Sequence, residues 1–238
     1  MRKRALWWLG GAIGGAALIY WQIVIAEGAY LGPRVVRLIY RLGAPYYDAV
    51  RRPVQAAADD VLRPLLIRAI AGLPRPSVLD VATGTGRVPL LLCAEAAFAG
   101  QIAALDLTPR MLAAGVARQR HCCPGASIGW HLGEAGALPW AGESFDLVTC
   151  LEALEYLARP RRSLAEMARV LRPGGALVVS RWPDHWARML PGRAFTAATL
   201  ARELQRLGFE QITSLPWQPG HYDLVTAWKP LAHPESRS

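Results

Sequence analysis

The sequence predicts an α/β fold in which a mostly parallel sheet of seven strands carries helices on both faces. From residue 77 onward, short apolar runs that suit buried strands alternate with helical patterns, as in sheets covered on both sides. The first of these runs leads through a glycine turn directly into a helix. The predicted strands cover residues 77–81, 102–106, 127–131, 145–150, 175–181, 209–214 and 222–228.

The glycine turn marks a predicted nucleotide-type site. Val78–Val81 ends a buried strand, Gly84 and Gly86 allow a tight turn, and Val88–Cys93 resumes as an apolar helix. Glycine lets the backbone approach a ligand closely, and the first turn of a helix offers unpaired N–H groups. This glycine pattern alone is a weak signal, because a simple turn can produce it.

A second strand strengthens this prediction. Ile102–Asp106 is apolar and ends in an acid 26 residues after Asp80. In a Rossmann-like βαβ unit, an acid at this place binds the ribose hydroxyls. The alternative for Asp106 is a capping role before the helix that follows Pro109.

Four segments, in order and at the usual spacing, resemble the class I S-adenosylmethionine-dependent methyltransferases, and most of all the ubiquinone/menaquinone C-methyltransferase type with its methyltransferase type 11 domain. The resemblance runs from about Tyr40 to Lys229 and implies a Rossmann-like sheet, S-adenosylmethionine as cofactor and methyl transfer as activity. The four segments are Val78–Val88, Ala104–Leu112, Leu138–Val148 and Leu171–Gly175.

The resemblance also implies which residues bind the cofactor. Asp106 would accept both ribose hydroxyls, Leu107 would lie against adenine, and Glu134 would accept from the adenine amino group unless it is only a solvated loop acid. Two positions depart from the family pattern, with Ala82 where glycine is frequent and Arg87 where an acid is frequent. The full expected set is Asp80, Ala82, Thr83, Gly84, Gly86, Asp106, Leu107, Glu134, Ala135 and Leu151.

The catalytic residue stays open at this stage, and no metal site is expected. Oxygen methylation would need a base near the hydroxyl, which Glu152 or Glu155 could supply, although acids at a helix N-terminus are also favoured by the helix dipole. The family implies an N-terminal lid at Tyr47. The candidates are Tyr47, Glu152, Glu155, Tyr156 and His185, with His221 as a further residue over the acceptor pocket.

The N-terminus predicts a membrane anchor over residues 1–28. Arg2–Arg4 precede residues 5–26, which carry no charge and would extend roughly 33 Å as a helix, enough for a single-pass transmembrane span. A cleaved signal peptide is the alternative. Arginines are in excess after the span, which places the catalytic domain on the cytoplasmic side. Interfacial aromatics flank the span, and overlapping small-residue pairs could pack on another transmembrane helix: Trp7, Trp8, Tyr20, Trp21, Gly10, Gly11, Gly14 and Gly15.

The remaining boundaries follow from charge and proline patterns. Residues 29–73 predict a basic interfacial helix, with Arg34, Arg37 and Arg41 on one face, and a helical lid whose helix over 54–72 is kinked or divided at Pro64. Residues 74–230 form the predicted methyltransferase domain, and residues 231–238 form a loose tail.

Composition favours a lipid surface over nucleic acid as the partner. The net charge is +9, charged residues are 19% and apolar residues are 53% of the chain, and the arginines cluster beside the apolar N-terminus. No nucleic-acid partner is expected. The four cysteines show no Cys-x-x-Cys spacing, so we expect reduced thiols, with Cys93 and Cys150 buried.

Together these patterns predict a membrane-anchored S-adenosylmethionine-dependent methyltransferase. A basic helix and an apolar lid beside an anchor favour an acceptor that resides in the bilayer, either a quinone precursor or an aminophospholipid. The main alternative is a catalytically silent methyltransferase fold that serves as an accessory subunit of a membrane complex. A soluble small-molecule methyltransferase is a weaker alternative.

Overall fold

The computed structural model describes residues 2–231, and the side chains of residues 2–7, 9, 10, 12 and 52 lie outside this description. Residues 232–238 of the predicted tail at 231–238, and the side chains of Trp7 and Gly10, therefore lie outside the described part of the chain.

The N-terminal part consists of two helices joined by a sharp turn. Helix α1 spans Arg2–Tyr20 and continues as a π-helical turn over Trp21–Ile25. After Gly28 a 3₁₀ turn, Ala29–Leu31, leads into helix α2 at Pro33–Ala69. Trp21 packs on Tyr30, with 5.2 Å between the ring centroids, so these aromatics face each other across the turn.

The predicted transmembrane helix over residues 5–26 is not found. Within residues 2–231, no helix is both long enough and apolar enough to span a bilayer. The α-helical part of the uncharged stretch ends at Tyr20, and Trp21–Ile25 adopt a π-helical turn. A Cβ built on Gly11, Gly14 or Gly15 meets no atom within 4 Å, so packing of this glycine face on another helix stays a prediction.

Helix α2 is one helix of 37 residues, where two separate helices were predicted. Pro45, Pro53 and Pro64 all lie inside it. Each proline removes one backbone hydrogen bond and bends a helix, but apolar contacts on the folded domain outweigh that cost here, since Leu62 and Leu66 are fully buried. The predicted basic face is present, because Arg34, Arg37 and Arg41 are all exposed.

The seven-stranded sheet is confirmed, with strand order β3-β2-β1-β4-β5-β7-β6. The first five strands pair in parallel, and β7 pairs antiparallel with both β5 and β6. The predicted closing hairpin is therefore β6–β7. The strands are β1 Ser77–Val81, β2 Gln101–Asp106, β3 Ile128–Leu132, β4 Phe145–Cys150, β5 Leu171–Arg181, β6 Glu210–Gln218 and β7 Tyr222–Trp228.

Helices cover both faces of this sheet. Alternate residues of each central strand belong to two separate apolar cores: Leu79 packs with α5 and α7, whereas Val78 packs with α2 and α3. This alternation is the period of two expected for strands buried on both sides. The remaining helices are α3 Arg87–Cys93, α4 Pro109–Cys122, α5 Pro160–Val170, α6 Asp184–Ala187 and α7 Ala197–Arg206.

The expectation of reduced cysteines is wrong for one pair. Cys93 and Cys123 form a disulfide with 6.3 Å between their Cα atoms. Cys93 is the last residue of α3, and Cys123 follows the last residue of α4. The C-termini of these two helices meet although 30 residues separate the cysteines in sequence. No spacing motif could therefore indicate the bond. Cys93 is only half-buried, whereas Cys150 is buried as predicted and Cys122 is free and exposed.

Candidate active site

A cleft opens at the carboxyl ends of β1, β2 and β4, with a volume of about 790 Å³ counted with its open side. This is the edge where open parallel sheets bind their ligands. It brings together most of the residues that the family resemblance implies for cofactor binding, and helix α2 closes it from above through Tyr40 and Tyr47. The expected residues that line it are Ala82, Gly84, Asp106, Leu107, Glu134, Ala135 and Leu151.

Asp106 holds a fixed carboxylate in this cleft. Its Oδ2 accepts from the Gly84 amide at 2.9 Å, and its Oδ1 accepts from the Thr108 amide at 2.7 Å. Burial raises the pKa of Asp106, and the backbone donors of Thr108 and Gly84 oppose that rise. Asp106 thus links the glycine turn after β1 to the end of β2. We call this turn, together with the Asp106 carboxylate that holds it, the cradle.

Asp80 lies behind the main cleft, in a smaller recess that it shares with Thr83 and Glu152. The Thr149 hydroxyl donates to its Oδ1 at 2.5 Å. Burial is the main influence on this carboxyl and raises the pKa of Asp80 to about 6. Ala82, Leu151 and Tyr47 line both spaces, so Asp80 faces an extension of the same site.

Two glycines shape the turn for different reasons. A Cβ on Gly84 would point toward Tyr47, with its nearest atoms at 3.9 Å, so the bare backbone faces the cleft under the lid. Gly86 has φ 84°, and a Cβ there would lie 2.4 Å from the Trp130 ring. Gly86 is absent from the cleft lining, and its role is to let β3 pack closely against the turn.

Ala82 occupies a backbone conformation that suits glycine, with φ 56°. A left-handed conformation destabilises the folded state by about 1–2 kcal/mol when the residue has a Cβ, and glycine avoids this cost. Glycine also makes the unfolded chain more flexible, which offsets up to about 1 kcal/mol of that gain. We expect Ala82→Gly to raise the free energy of unfolding by about 0.5–1 kcal/mol, measured by urea denaturation. A variant less stable than the wild type would show that the Ala82 methyl contributes packing that outweighs the backbone strain.

Helix α2 is fastened over the turn by polar contacts. The Thr85 hydroxyl donates to Asp48 at 2.6 Å, and Arg118 reaches both residues from α4. These contacts hold Tyr47 over the cradle, where the resemblance placed a lid residue. The guanidinium group of Arg51 lies over the Tyr47 ring, 5.7 Å from the ring centroid.

A buried ion-pair cluster centres on Glu152, and sequence reasoning missed most of it. The Glu152 carboxylate accepts from Arg51 at 2.7 Å, Arg87 at 2.6 Å and Gln218 at 2.5 Å. Arg87 also pairs with Asp59 of α2 at 2.7 Å. The only sequence signal was the departure at Arg87 from the family pattern, which this cluster explains: the arginine joins α2, α3 and the segment after β4.

Glu152 is therefore a poor candidate for a base. Both of its oxygens are occupied by cationic or amide donors, which come from Arg51, Arg87 and Gln218. Glu155 is buried, accepts from the Tyr222 hydroxyl at 2.6 Å, and lines neither the cleft nor the recess. Burial raises the pKa of Glu155 to about 7.

The tyrosines and histidines also divide into those that reach the site and those that do not. Tyr47 and Tyr156 line the cleft, but burial raises the pKa of each phenol, so both stay protonated near neutral pH and cannot act as bases. His185 does not reach it: this residue is exposed on α6 beside Trp186, so its predicted place over the pocket is wrong. His221 lines a neighbouring groove.

This groove adjoins the cleft and has mainly apolar walls. It has a volume of about 1130 Å³ counted with its open side, and Tyr40 and Tyr47 form a wall common to groove and cleft. Glu27 and Arg51 are charged groups on its inner side. Its apolar lining comprises Ile23, Val24, Ile39, Val50, Val54 and Met111. Among residues 2–231 no cluster of His, Cys, Asp or Glu could hold a metal ion.

Comparisons with known proteins agree with this geometry. Residues 79–179 match the methyltransferase domain family. The chain is 40% identical over 141 residues to a demethylmenaquinone methyltransferase from Deinococcus radiodurans, covering 59% of this chain and 57% of that protein. It is 31% identical over 155 residues to a ubiquinone/menaquinone biosynthesis C-methyltransferase from Roseobacter denitrificans, covering 65% of this chain and 61% of that protein. The matches thus span about three fifths of these relatives' lengths.

A solved structure supports the fold over more of the chain. The phosphoethanolamine N-methyltransferase 2 of Haemonchus contortus, in complex with phosphomonomethylethanolamine and S-adenosylhomocysteine, superposes with a TM-score of 0.63. The identity is 14%, and the superposition covers 80% of this chain and 57% of that protein. At this identity the likeness concerns the fold.

S-adenosylmethionine fits the chemistry of the cleft. Asp106 offers a fixed carboxylate to the ribose diol, and Leu107 and Ala135 offer apolar walls to the adenine ring. The bare backbone at Gly84 leaves room for the methionine part, which extends from the ribose. The family match and the relatives together identify residues 79–179 as a methyltransferase domain that uses S-adenosylmethionine.

Proposed function

We propose that the protein transfers a methyl group from S-adenosylmethionine to a lipophilic aromatic acceptor, a quinone precursor with an apolar tail. The observation that carries this proposal is the apolar groove, because it adjoins the cosubstrate cleft and shares Tyr40 and Tyr47 with it as a common wall. When bound, S-adenosylmethionine supplies an electrophilic methyl group on a positively charged sulfur. The protein must then place the acceptor against that methyl group and keep water away.

The groove suits a tailed ring in two respects. Its inner end carries polar groups, Glu27 and Arg51, beside the two lid tyrosines. Its outer part is lined by aliphatic side chains, and Ile23, Val24 and Val50 are also exposed to solvent there. A ring with hydroxyl groups can therefore lie inside while the tail extends outward. The two relatives named for quinone methylation support this acceptor class.

The outer surface around the groove favours contact with an anionic bilayer. Leu38 and Leu42 are exposed on α2 together with its exposed arginines, and α1 and the π-helical turn carry further exposed apolar side chains. This combination is typical of proteins that bind at the lipid interface. Such contact would let a membrane-resident acceptor enter the groove without crossing water. The residues involved are Ile13, Leu18, Ile19, Ile23, Val24, Leu38, Leu42, Arg34, Arg37 and Arg41.

A catalytically silent accessory subunit is not favoured. Such a protein has no need for a carboxylate fixed toward the cleft by two backbone donors, as Asp106 is. It also has no need for the closed lid over Gly84.

The proposal is tested by turnover of hydroquinones that differ only in the number of isoprene units on the ring, presented in vesicles with or without anionic lipid. We expect kcat/KM to rise by about tenfold or more for the first unit, because each buried CH₂ contributes about 0.8 kcal/mol. Anionic vesicles should give the higher rates. Turnover that does not depend on the tail would exclude the groove as the acceptor site.

A further inference from the structure

A carboxylate from outside the methyltransferase domain lies at the inner end of the groove. Glu27 belongs to the turn between the π-helical segment and α2, and it lines the groove together with Tyr40 and Tyr47. The Tyr40 hydroxyl, which lies on the wall common to groove and cleft, donates to Glu27 Oε2. Glu27 is thus next to the place where acceptor and cosubstrate would meet.

The chain pays a conformational cost to hold Glu27 there. Glu27 has φ 46°, a left-handed conformation that is uncommon for a residue with a side chain. Gly28 follows with φ 73°, and a Cβ on it would lie 2.7 Å from Val35 Cγ1. The backbone at Gly28 therefore packs directly against α2. This close packing holds the turn in place, with Glu27 in the lining of the groove. Strain of this kind concentrates at functional sites.

We propose that Glu27 is the catalytic base, accepting the proton that the acceptor ring loses on methylation. This inference rests on the proposed function. The acceptor ring carbon bonds to the methyl group while the methyl–sulfur bond breaks, and its electron pair remains on sulfur. The same ring carbon then releases its hydrogen as a proton to the Glu27 carboxylate, and the C–H electron pair restores the aromatic ring. The products are methylated ring, S-adenosylhomocysteine and protonated Glu27, so charge and atoms balance.

The other candidates around the groove are less suited to this step. Glu152 has its oxygens occupied by two guanidinium groups and an amide. Glu155 is enclosed and bonded to Tyr222. Burial is the main cause that raises the pKa of Glu27, and the hydroxyl groups of Tyr40 and Tyr156 moderate that rise. A carboxylate with a raised pKa is a stronger base than an ordinary glutamate.

The charges around Glu27 set the expected pH dependence. Arg51 favours the ionised form of Glu27, whereas Glu152 opposes it. Because the base must be ionised, the rate should fall as pH decreases through the pKa of Glu27. The titratable groups that face it are Tyr40, Tyr47 and Arg51 from α2, Glu152 after β4, Glu155 and Tyr156 from a second 3₁₀ turn at Leu154–Tyr156, and His221 at the groove wall.

The test compares wild-type protein with Glu27→Gln and Glu27→Asp, using a prenylated hydroquinone and S-adenosylmethionine. Glutamine keeps a hydrogen-bond acceptor for Tyr40 but cannot take a proton. We expect Glu27→Gln to lower kcat by about 100-fold or more and to abolish the acidic limb of the pH–rate profile. Cosubstrate affinity should stay within about threefold, since Glu27 does not line the cleft. Glu27→Asp should recover part of the rate, and exposed Glu210→Gln is the matched control.

The outcomes separate the two proposals. If the wild type methylates the hydroquinone and Glu27→Gln retains its kcat and acidic limb, the assignment of Glu27 is wrong and the acceptor class stands. If Glu27→Gln and Glu27→Asp lose cosubstrate affinity and thermal stability together with rate, Glu27 serves structure and the assignment is again wrong. If the wild type methylates no lipophilic acceptor, the proposed function fails and the role of Glu27 fails with it.

Discussion

Replacing Asp106 with alanine is expected to weaken S-adenosylmethionine binding by about 100-fold, or on the order of 3 kcal/mol. This estimate counts two hydrogen bonds to a charged group at about 1.5 kcal/mol each. The carboxylate also holds the Gly84 and Thr108 amides, so its loss should loosen the cradle as well. Isothermal titration calorimetry of wild type and variant measures the change.

Asp106→Asn is the matched control for this experiment. It keeps the size of the side chain and one carbonyl oxygen but removes the negative charge. The affinity lost in Asp106→Asn therefore measures the contribution of the charge, and the further loss in Asp106→Ala measures the contribution of the side chain that holds the turn. Affinity unchanged in both variants would show that the ribose does not bind at Asp106, and the placement of the cosubstrate would then be wrong.

Removal of the Arg87 side chain is expected to destabilise the protein by about 2–3 kcal/mol. Breaking a buried ion pair by deleting one partner costs about 3–5 kcal/mol, and Glu152 would retain Arg51 and Gln218. The variant Arg87→Met would also release Asp59 and leave the Trp217 face uncovered. Thermal unfolding should show a midpoint lowered by roughly 5–10 °C.

A double-mutant cycle checks the origin of this loss. Arg87→Met combined with Glu152→Gln should be more stable than the sum of the two single changes predicts, because each single change already breaks the Arg87–Glu152 ion pair. Arg63→Met is the control, since both Arg63 and its partner Glu95 are partly exposed and loss of this pair should leave the midpoint nearly unchanged. Additive effects in the cycle would contradict the view that Arg87 acts through Glu152.

The sheet could be predicted from the sequence because each strand is a short apolar run next to a turn or helix, and those signals are local. The cradle was predictable for the same reason: Asp80, Gly84 and Asp106 lie at strand ends. The N-terminal part was not, because an uncharged stretch of 22 residues predicts a span, whereas the turn at Glu27 and Gly28 depends on packing against Val35 and α2.

Long-range pairing explains the other differences. The contacts of Glu152 join residues 51, 87 and 218, which no sequence window contains. The disulfide of Cys93 with Cys123 depends on two helix ends that meet only in the folded chain. The unbroken course of α2 through three prolines likewise depends on the surface that it covers. These features depend on tertiary contact, so sequence patterns could not give them.

The most direct test of lipid methylation incubates the full-length protein with methyl-labelled S-adenosylmethionine and a total lipid extract from the host, with Asp106→Ala as control. We predict label in one quinone-like band after extraction and chromatography, absent with the variant. Label in a phospholipid band would contradict the quinone acceptor and support headgroup methylation. No label in any lipid, with cosubstrate binding intact, would contradict a lipophilic acceptor altogether.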